Sequence, residues 1–246
     1  RNNQEAATQA QAQDIYEAIF GNPDEGTFGF LGDIGRLPNT LSELVTQGSL
    51  PDFSTAPGGV PNVGNVGYGW QGPYIRSFAS NTDWTSDAWG QPFEWATSGS
   101  TAGQIISKGA DGTLSTADDI SYPLSPPPTT GPLAVNVVTN GVANAFGVAA
   151  KLYYPVDGVQ TGTAMQSFDP AGDPFDGFSF TGIPAGVRAA ILNHTDAGCP
   201  GCGTDVRVVS LEVVAGQTNI LEVRIETSCQ VGVVGSLSCP IPDITP

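Results

Sequence analysis

The stretch Gly177-Phe178-Ser179-Phe180-Thr181-Gly182-Ile183-Pro184-Ala185-Gly186, continued by Val187, Ala189 and Ile191, decides how the second half of the chain folds. Phe178 and Phe180 stand two residues apart, so they share one face of an extended strand. Gly182 to Gly186 reads as a turn. Val187, Ala189 and Ile191 then resume the period of two. Further out, Leu221, Val223 and Ile225 alternate with Glu222, Arg224 and Glu226, a strand with one dry and one wet face. Leu133, Val135 and Val137 repeat the pattern upstream. Short strands recurring about every ten residues predict a β-sandwich.

Upstream of the sandwich stands Ser125-Pro126-Pro127-Pro128-Thr129-Thr130-Gly131-Pro132, which reads as a stiff linker. It divides the chain into residues 1–124 and 133–246. The length of 246 residues agrees with two domains. In the first, residues 1 to about 20 have high helix propensity and a thin apolar stripe that includes Ala12, Ile15, Ala18 and Ile19. Gly21-Asn22-Pro23 ends it. A helix this polar is marginal alone, so it is expected to pack on something or to continue a longer helix. Thr40 is placed as an N-cap with Glu43 at the capping-box position, and Leu41, Leu44 and Val45 as the buried face of a short helix. Residues 81–122 read as short strands and tight turns.

The charge balance narrows the function classes. Eight Lys and Arg stand against 24 Asp and Glu, a net charge of −16, yet charged residues are only 13% of the chain. The acidity therefore comes from missing bases. Nothing groups Lys and Arg as phosphate or an anionic membrane surface requires. Acidic chains suit hard cations such as calcium. The sequence has 32 Gly and 20 Pro, about a fifth of the chain, which signals many turns. No apolar run reaches the length of about 18 residues that marks a bilayer span. The opening RNNQEAATQA does not read as a signal peptide and does not start with Met, which suggests processing or a leading segment that lies elsewhere.

Cys199, Cys202, Cys229 and Cys239 all fall in the last fifth of the chain. The reading is two local disulfides, Cys199 with Cys202 and Cys229 with Cys239, formed in an oxidising compartment. A four-cysteine zinc site and a redox Cys-x-x-Cys remain as alternatives. A c-type haem does not fit, because Gly203 follows Cys202.

The chemistry concentrates in Ser107-Lys108-Gly109-Ala110-Asp111-Gly112-Thr113-Leu114-Ser115-Thr116-Ala117-Asp118-Asp119-Ile120. Small, turn-prone residues separate Asp111 from Asp118 and Asp119, so the loop can fold back and bring the three carboxylates together. Such charges repel unless a cation neutralises them. Calcium accepts six to eight oxygens in flexible geometry, which these carboxylates, Thr113 and backbone carbonyls could supply. The alternating acids and terminal Glu of an EF-hand are missing. A solvated Asp-rich turn is the alternative reading.

Upstream of this loop stand Trp70-Gln71-Gly72-Pro73-Tyr74-Ile75 and Asp87-Ala88-Trp89-Gly90-Gln91-Pro92-Phe93. The order of helix, Gly35-Arg36-Leu37-Pro38, Leu41 to Leu44, these two motifs, and then the GADG and DDI segments resembles the major pseudopilins of type II secretion systems and type IV pilin-like proteins. The resemblance covers roughly residues 1–122. It implies an α+β fold, an N-terminal helix packed on a small antiparallel sheet, with the sandwich following as an all-β second domain. It implies a calcium-stabilised loop in which Asp111, Asp118 and Asp119 are side-chain ligands, Thr113 helps, and backbone oxygens near Lys108 and Ala110 complete the shell. The hydrophobic first half of the family's helix is absent here. Ala88 stands where the family has Pro, Phe93 where it has Tyr, and Ser49 to Gly69 is a longer insert. Trp70, Tyr74, Trp89 and Phe93 are read as packing residues.

The second half, with Asp169-Pro170-Ala171-Gly172, Phe178-Ser179-Phe180, Gly182 to Gly186 and Gly216-Gln217-Thr218, is similar to carboxypeptidase-regulatory-like, transthyretin-like sandwiches. That likeness implies fold and not activity. Asp169, Asp173 and Asp176 are read as turn residues, with a second cation site as the alternative. His194, the one histidine, has no Ser or Cys motif to serve as a base. Asn193-His194-Thr195 is a formal glycosylation sequon. No nucleophile elbow, zinc-protease or phosphate-cradling motif is present, so no enzyme is expected. The expectation is a structural subunit of a periplasmic or extracellular filament, partnered by other pilin or pseudopilin subunits and by a separate N-terminal helical segment. The alternative is an adhesin or carbohydrate-binding module acting through the second domain.

Overall fold

The structure, a computed structural model, describes residues 2–55, 66–75, 84–139, 142–143, 147–163, 165–167, 177–195, 205–225, 230–231 and 237–238. Helix α1 spans Asn2–Phe20. Thr8, Ala12, Ile15 and Ile19 follow the helical repeat and form its buried stripe, while Gln9, Gln13 and Glu17 face water. After Gly21, Asn22 caps a short 3-10 turn at Pro23–Glu25 with its side-chain oxygen. Helix α2 (Gly29–Ile34) follows and buries Phe30, Leu31 and Ile34.

The short helix expected after Thr40 is a 3-10 turn, Leu41–Leu44, and the Thr40 side chain makes no capping bond. Glu43 has other partners. Its carboxylate accepts the Asn39 N–H at 2.9 Å and pairs with Arg36 at 2.9 Å. Leu41 and Leu44 are buried.

Strands β1 (Glu94–Trp95), β2 (Ile105–Ser107) and β3 (Ile120–Tyr122) form an antiparallel sheet in that order. Trp95, Ile105 and Tyr122 lie opposite one another and so share a face. That face meets α1, where Ile105 is fully buried and Tyr122 contacts the Tyr16 ring edge to face at 5.4 Å.

From Thr130 the described residues are almost entirely strand. As far as Ile225 the elements are β4 (Thr130–Thr139), β5 (Val142–Ala143), β6 (Val148–Val156), β7 (Val159–Gly162), β8 (Gln166–Ser167), β9 (Gly177–Pro184), β10 (Gly186–His194), β11 (Asp205–Val213) and β12 (Asn219–Ile225). One sheet runs β11-β10-β6-β7, with β8 also on β6. The other joins β12, β4 and β5, with β9 also on β4. Strand β12 runs parallel to β4, and β9 antiparallel to it. The period-two residues of both sheets interdigitate between them, with Leu133, Val135 and Val137 opposed by Leu152, Ala190 and Leu192. The Pro-rich stretch yields to strand at Thr130, since Thr130 and Gly131 already pair with Pro184 and Ile183.

The two halves share a seam, and this corrects the expected fold class. Strands make up about 40% of the described residues, and only one helix among them is longer than two turns, so the described part is mostly β, sandwich-like, with a small helix. The expected α+β class, a pilin-like helix-and-sheet unit followed by a separate sandwich, gave the helix too much weight. Its buried face meets strands of only two and three residues. The outer face of β10, meanwhile, is not left to solvent. Ala189 and Ile191 are buried there beside Tyr153 and Val66. At the seam, Gly158 N–H donates to Ile34 O at 2.9 Å and Arg36 pairs with Asp157 at 2.6 Å. Gly35 ends α2 at φ +82, where a Cβ would overlap the Pro155 carbonyl.

Arg188 of β10 is fully buried at this seam. Its guanidinium donates to Pro184 O at 3.0 Å, Gly32 O at 2.9 Å, Val187 O at 2.8 Å and the Ala185 carbonyl. Burial pushes its pKa down to about 9, against the charge of Asp33, which favours the cation. Asp33 on α2 accepts the Tyr74 hydroxyl at 2.8 Å. Burial raises the Asp33 carboxyl to about 6, although Tyr74 and Arg188 both act to lower it.

Candidate functional site

The site is assembled from the bottom by one buried carboxylate. Asp87 is 5% exposed. Its Oδ1 accepts the Trp89 and Gln91 N–H groups, each at 2.9 Å, which fixes the Asp87-Ala88-Trp89-Gly90-Gln91 turn. Its Oδ2 accepts the Ser107 hydroxyl at 2.5 Å, and Ser107 Oγ accepts the Gly109 N–H at 3.1 Å. The turn, the end of β2 and the root of the Asp loop are thus one hydrogen-bonded chain. Helix α1 joins it through Thr8 Oγ1, which accepts the Ala88 N–H at 3.1 Å, and Gln4, which donates to Ala88 O at 3.2 Å.

The aromatic residues singled out in the sequence fix this frame. Phe93 is buried in the core around α1. Trp70 Nε1–H donates to Glu43 O at 2.8 Å, and its ring meets Tyr74 edge to face at 6.0 Å. Trp89 is half-buried.

Above the frame the loop folds back on itself. Gly109 takes φ +64, and a Cβ there would overlap Asp118. Asp118 Oδ2 accepts the N–H groups of Ala110 and Asp111 at 2.7 and 3.2 Å. Asp119 Oδ2 accepts Ser115 N–H at 2.6 Å, and Asp111 Oδ1 accepts Thr113 N–H at 2.8 Å. The Thr116 hydroxyl, followed by the N–H groups of Asp111 and Ala110, holds the Asp118 carboxyl below the usual range.

The free oxygens of Asp118 and Asp119, together with Asp111 Oδ1, converge on Thr116. Its Oγ1 lies 2.9 Å from Asp118 Oδ1, 3.2 Å from Asp119 Oδ1, 3.4 Å from Asp111 Oδ1 and 3.0 Å from the Thr113 carbonyl. One hydroxyl carries one proton, so it can satisfy only one of these four acceptors well. Asp111, Asp118 and Asp119 are therefore brought together, and Thr113 joins them through its backbone oxygen. The Thr113 hydroxyl turns instead to Asp111 O at 3.4 Å. An all-oxygen set of this kind matches what calcium prefers. Among the described residues, no group of three or more His, Cys, Asp or Glu is gathered closely enough to form a metal centre as it stands. A shell around one ion requires the Thr116 side chain to turn aside.

Sequence reasoning missed Thr116, Ser107 and Thr8. Ser and Thr are common in turns and on helices, and nothing in their spacing separates a keystone hydroxyl from an ordinary one. Cys199, Cys202, Cys229, Cys239, Asp169, Asp173 and Asp176 lie outside the described residues. His194 is buried at the end of β10, opposite Asp205. No helix among the described residues is long and apolar enough to cross a membrane.

No protein-family model and no curated protein matches the chain. Among solved structures, it is similar to a proposed carbohydrate-binding protein from Pseudomonas aeruginosa, at 14% identity and a TM-score of 0.23, over 43% of this chain and 93% of the other. A likeness of that size leaves fold and function to be argued from this chain's own residues.

Proposed function

We propose that this chain is a non-enzymatic structural subunit of an extracellular or periplasmic filament, of type II secretion pseudopilus or type IV pilus kind. In this reading a calcium-stabilised loop consolidates the subunit and the sandwich is presented on the filament surface. Its partners are further subunits of the same kind and a separate N-terminal helical segment. The reading rests on motif order and not on fold class. The observation that carries it is that two of the motifs, the Asp87 turn and the Asp loop, are hydrogen-bonded together beside α1. The Asp87 turn bonds to Thr8, and Ser107 ties that turn to the loop whose three carboxylates face Thr116. Ligands to calcium would be Asp111, Asp118, Asp119 and Thr113. The ion supplies charge neutralisation and no reaction step.

Thermal unfolding with calcium and with EDTA tests this. Calcium at about a hundred times its Kd stabilises by about 2.7 kcal/mol. For a chain of this size that raises Tm by roughly 5–10 °C. Asp118→Asn combined with Asp119→Asn removes the calcium increment. Identical melting in calcium and EDTA would sink the metal site. Glycan binding that maps to residues 133–246, with no assembly, would favour an adhesin acting through the sandwich.

A further inference from the structure

The three-stranded sheet has a second face that the filament reading does not use. Glu94, Ile106 and Ser121 lie directly opposite one another and point away from α1. Over them is a groove of about 370 Å3, within the range of small-ligand sites. The Asp loop forms one wall through Leu114, Ser115 and Asp119, and the β1–β2 connection forms the other through Thr101 and Gln104. We propose that this groove binds a neutral saccharide.

The chemistry of the walls selects that class. Glu94, Gln104, Thr101, Ser115 and Ser121 offer carboxylate, amide and hydroxyl groups, which suit a ligand rich in hydroxyls. Ile106 and Leu114, the latter 45% exposed, offer apolar surface for its C–H face. Part of one wall is fixed in advance, because Gln104 Nε2 donates to Pro123 O at 2.8 Å. Groups held before binding reduce its ordering cost. A phosphate ligand is opposed by Glu94 and Asp119, and the neighbouring Lys108 is already paired with Glu94 at 2.5 Å. An alkyl chain would strand the polar groups without partners. Strand addition has little to pair with, because β1 is two residues long.

The test is amide-shift mapping of the 15N-labelled chain titrated with maltotriose, cellotriose and chitotriose. Saturable shifts are expected at Ile106, Ser121, Gln104 and Leu114, with a Kd of about 0.1–1 mM for at least one sugar. Ser121→Phe and Ile106→Trp, which fill the groove from its floor, weaken that binding by about tenfold or more. If either variant misfolds, the shift map of the parent still decides. The proposal is overturned if no sugar gives saturable shifts at about 10 mM, well above that Kd. It is also overturned if the shifts map to the sandwich, or if only a basic peptide produces them. Filament assembly is read separately, so failure here and failure of the filament reading are distinguishable.

Discussion

Arg188 shows how much one residue can hold. A fully buried guanidinium whose partners are carbonyls is costly to place and costlier to remove. Arg188→Ala strips the carbonyls of Pro184, Ala185, Val187 and Gly32 of donors, and is expected to cost about 3–5 kcal/mol in urea unfolding. Asp33 gives the opposite sign. Its folded pKa of about 6 exceeds the ordinary 3.8, so the folded state holds the proton more tightly. The stability this contributes is fully present below 3.8 and is lost as pH rises through about 6. Asp33→Asn therefore gains on the parent between about pH 4 and pH 7, by about 2–3 kcal/mol at the upper end. A set of urea titrations across that range checks this, and equal pH profiles for variant and parent would contradict it. Neither residue was legible in the sequence. Arg188 sits in an otherwise apolar run and Asp33 between apolar neighbours, and only the fold brings them together. The folding back of the Asp loop was legible, because small, turn-prone residues separate Asp111 from Asp118 and Asp119.

At the scale of elements, the hydrogen bonds of Thr8, Asp87 and Ser107 join α1, the turn and β2. Thr8→Val leaves the part-buried Ala88 N–H without its acceptor and is expected to cost about 1 kcal/mol, measured by urea unfolding. Gly35→Ala forces a side chain to φ +82 and into the Pro155 carbonyl. It is expected to cost about 3 kcal/mol or more and to loosen the seam first, visible as faster amide exchange at Gly158. The strands at 133–137, 178–180 and 221–225 were legible from their period of two, since one face of each is dry. Strand β10 was only half legible. Alternation picked out Val187, Ala189 and Ile191, but Ala190 and Leu192 on its other face are equally buried. Burial on both faces erases the wet half of the pattern. The capping box at Thr40 failed for a local reason. Arg36 and the Asn39 N–H take up the Glu43 carboxylate before Thr40 can use it.

At the scale of the molecule, local signals suggest two units, and they carry no information about the seam between them. The contacts of Gly158 with Ile34, Arg36 with Asp157, and Arg188 with Gly32 link positions up to 156 apart in sequence. That seam, and the preponderance of strand, turn the expected α+β arrangement into a mostly-β body with one small helix. The excess of acids over bases now has one local use, in the carboxylates that face Thr116. The filament reading stands or falls on assembly. The most direct measurement is recovery of the chain from sheared, purified surface filaments of cells expressing its full gene, with peptide mass spectrometry and immunogold labelling of residues 133–246. The account predicts that the chain repeats along the filament, labelled at its surface, and that chelation of calcium depletes it. Filaments that form without the chain, while it remains monomeric in the surrounding fraction, would contradict the account.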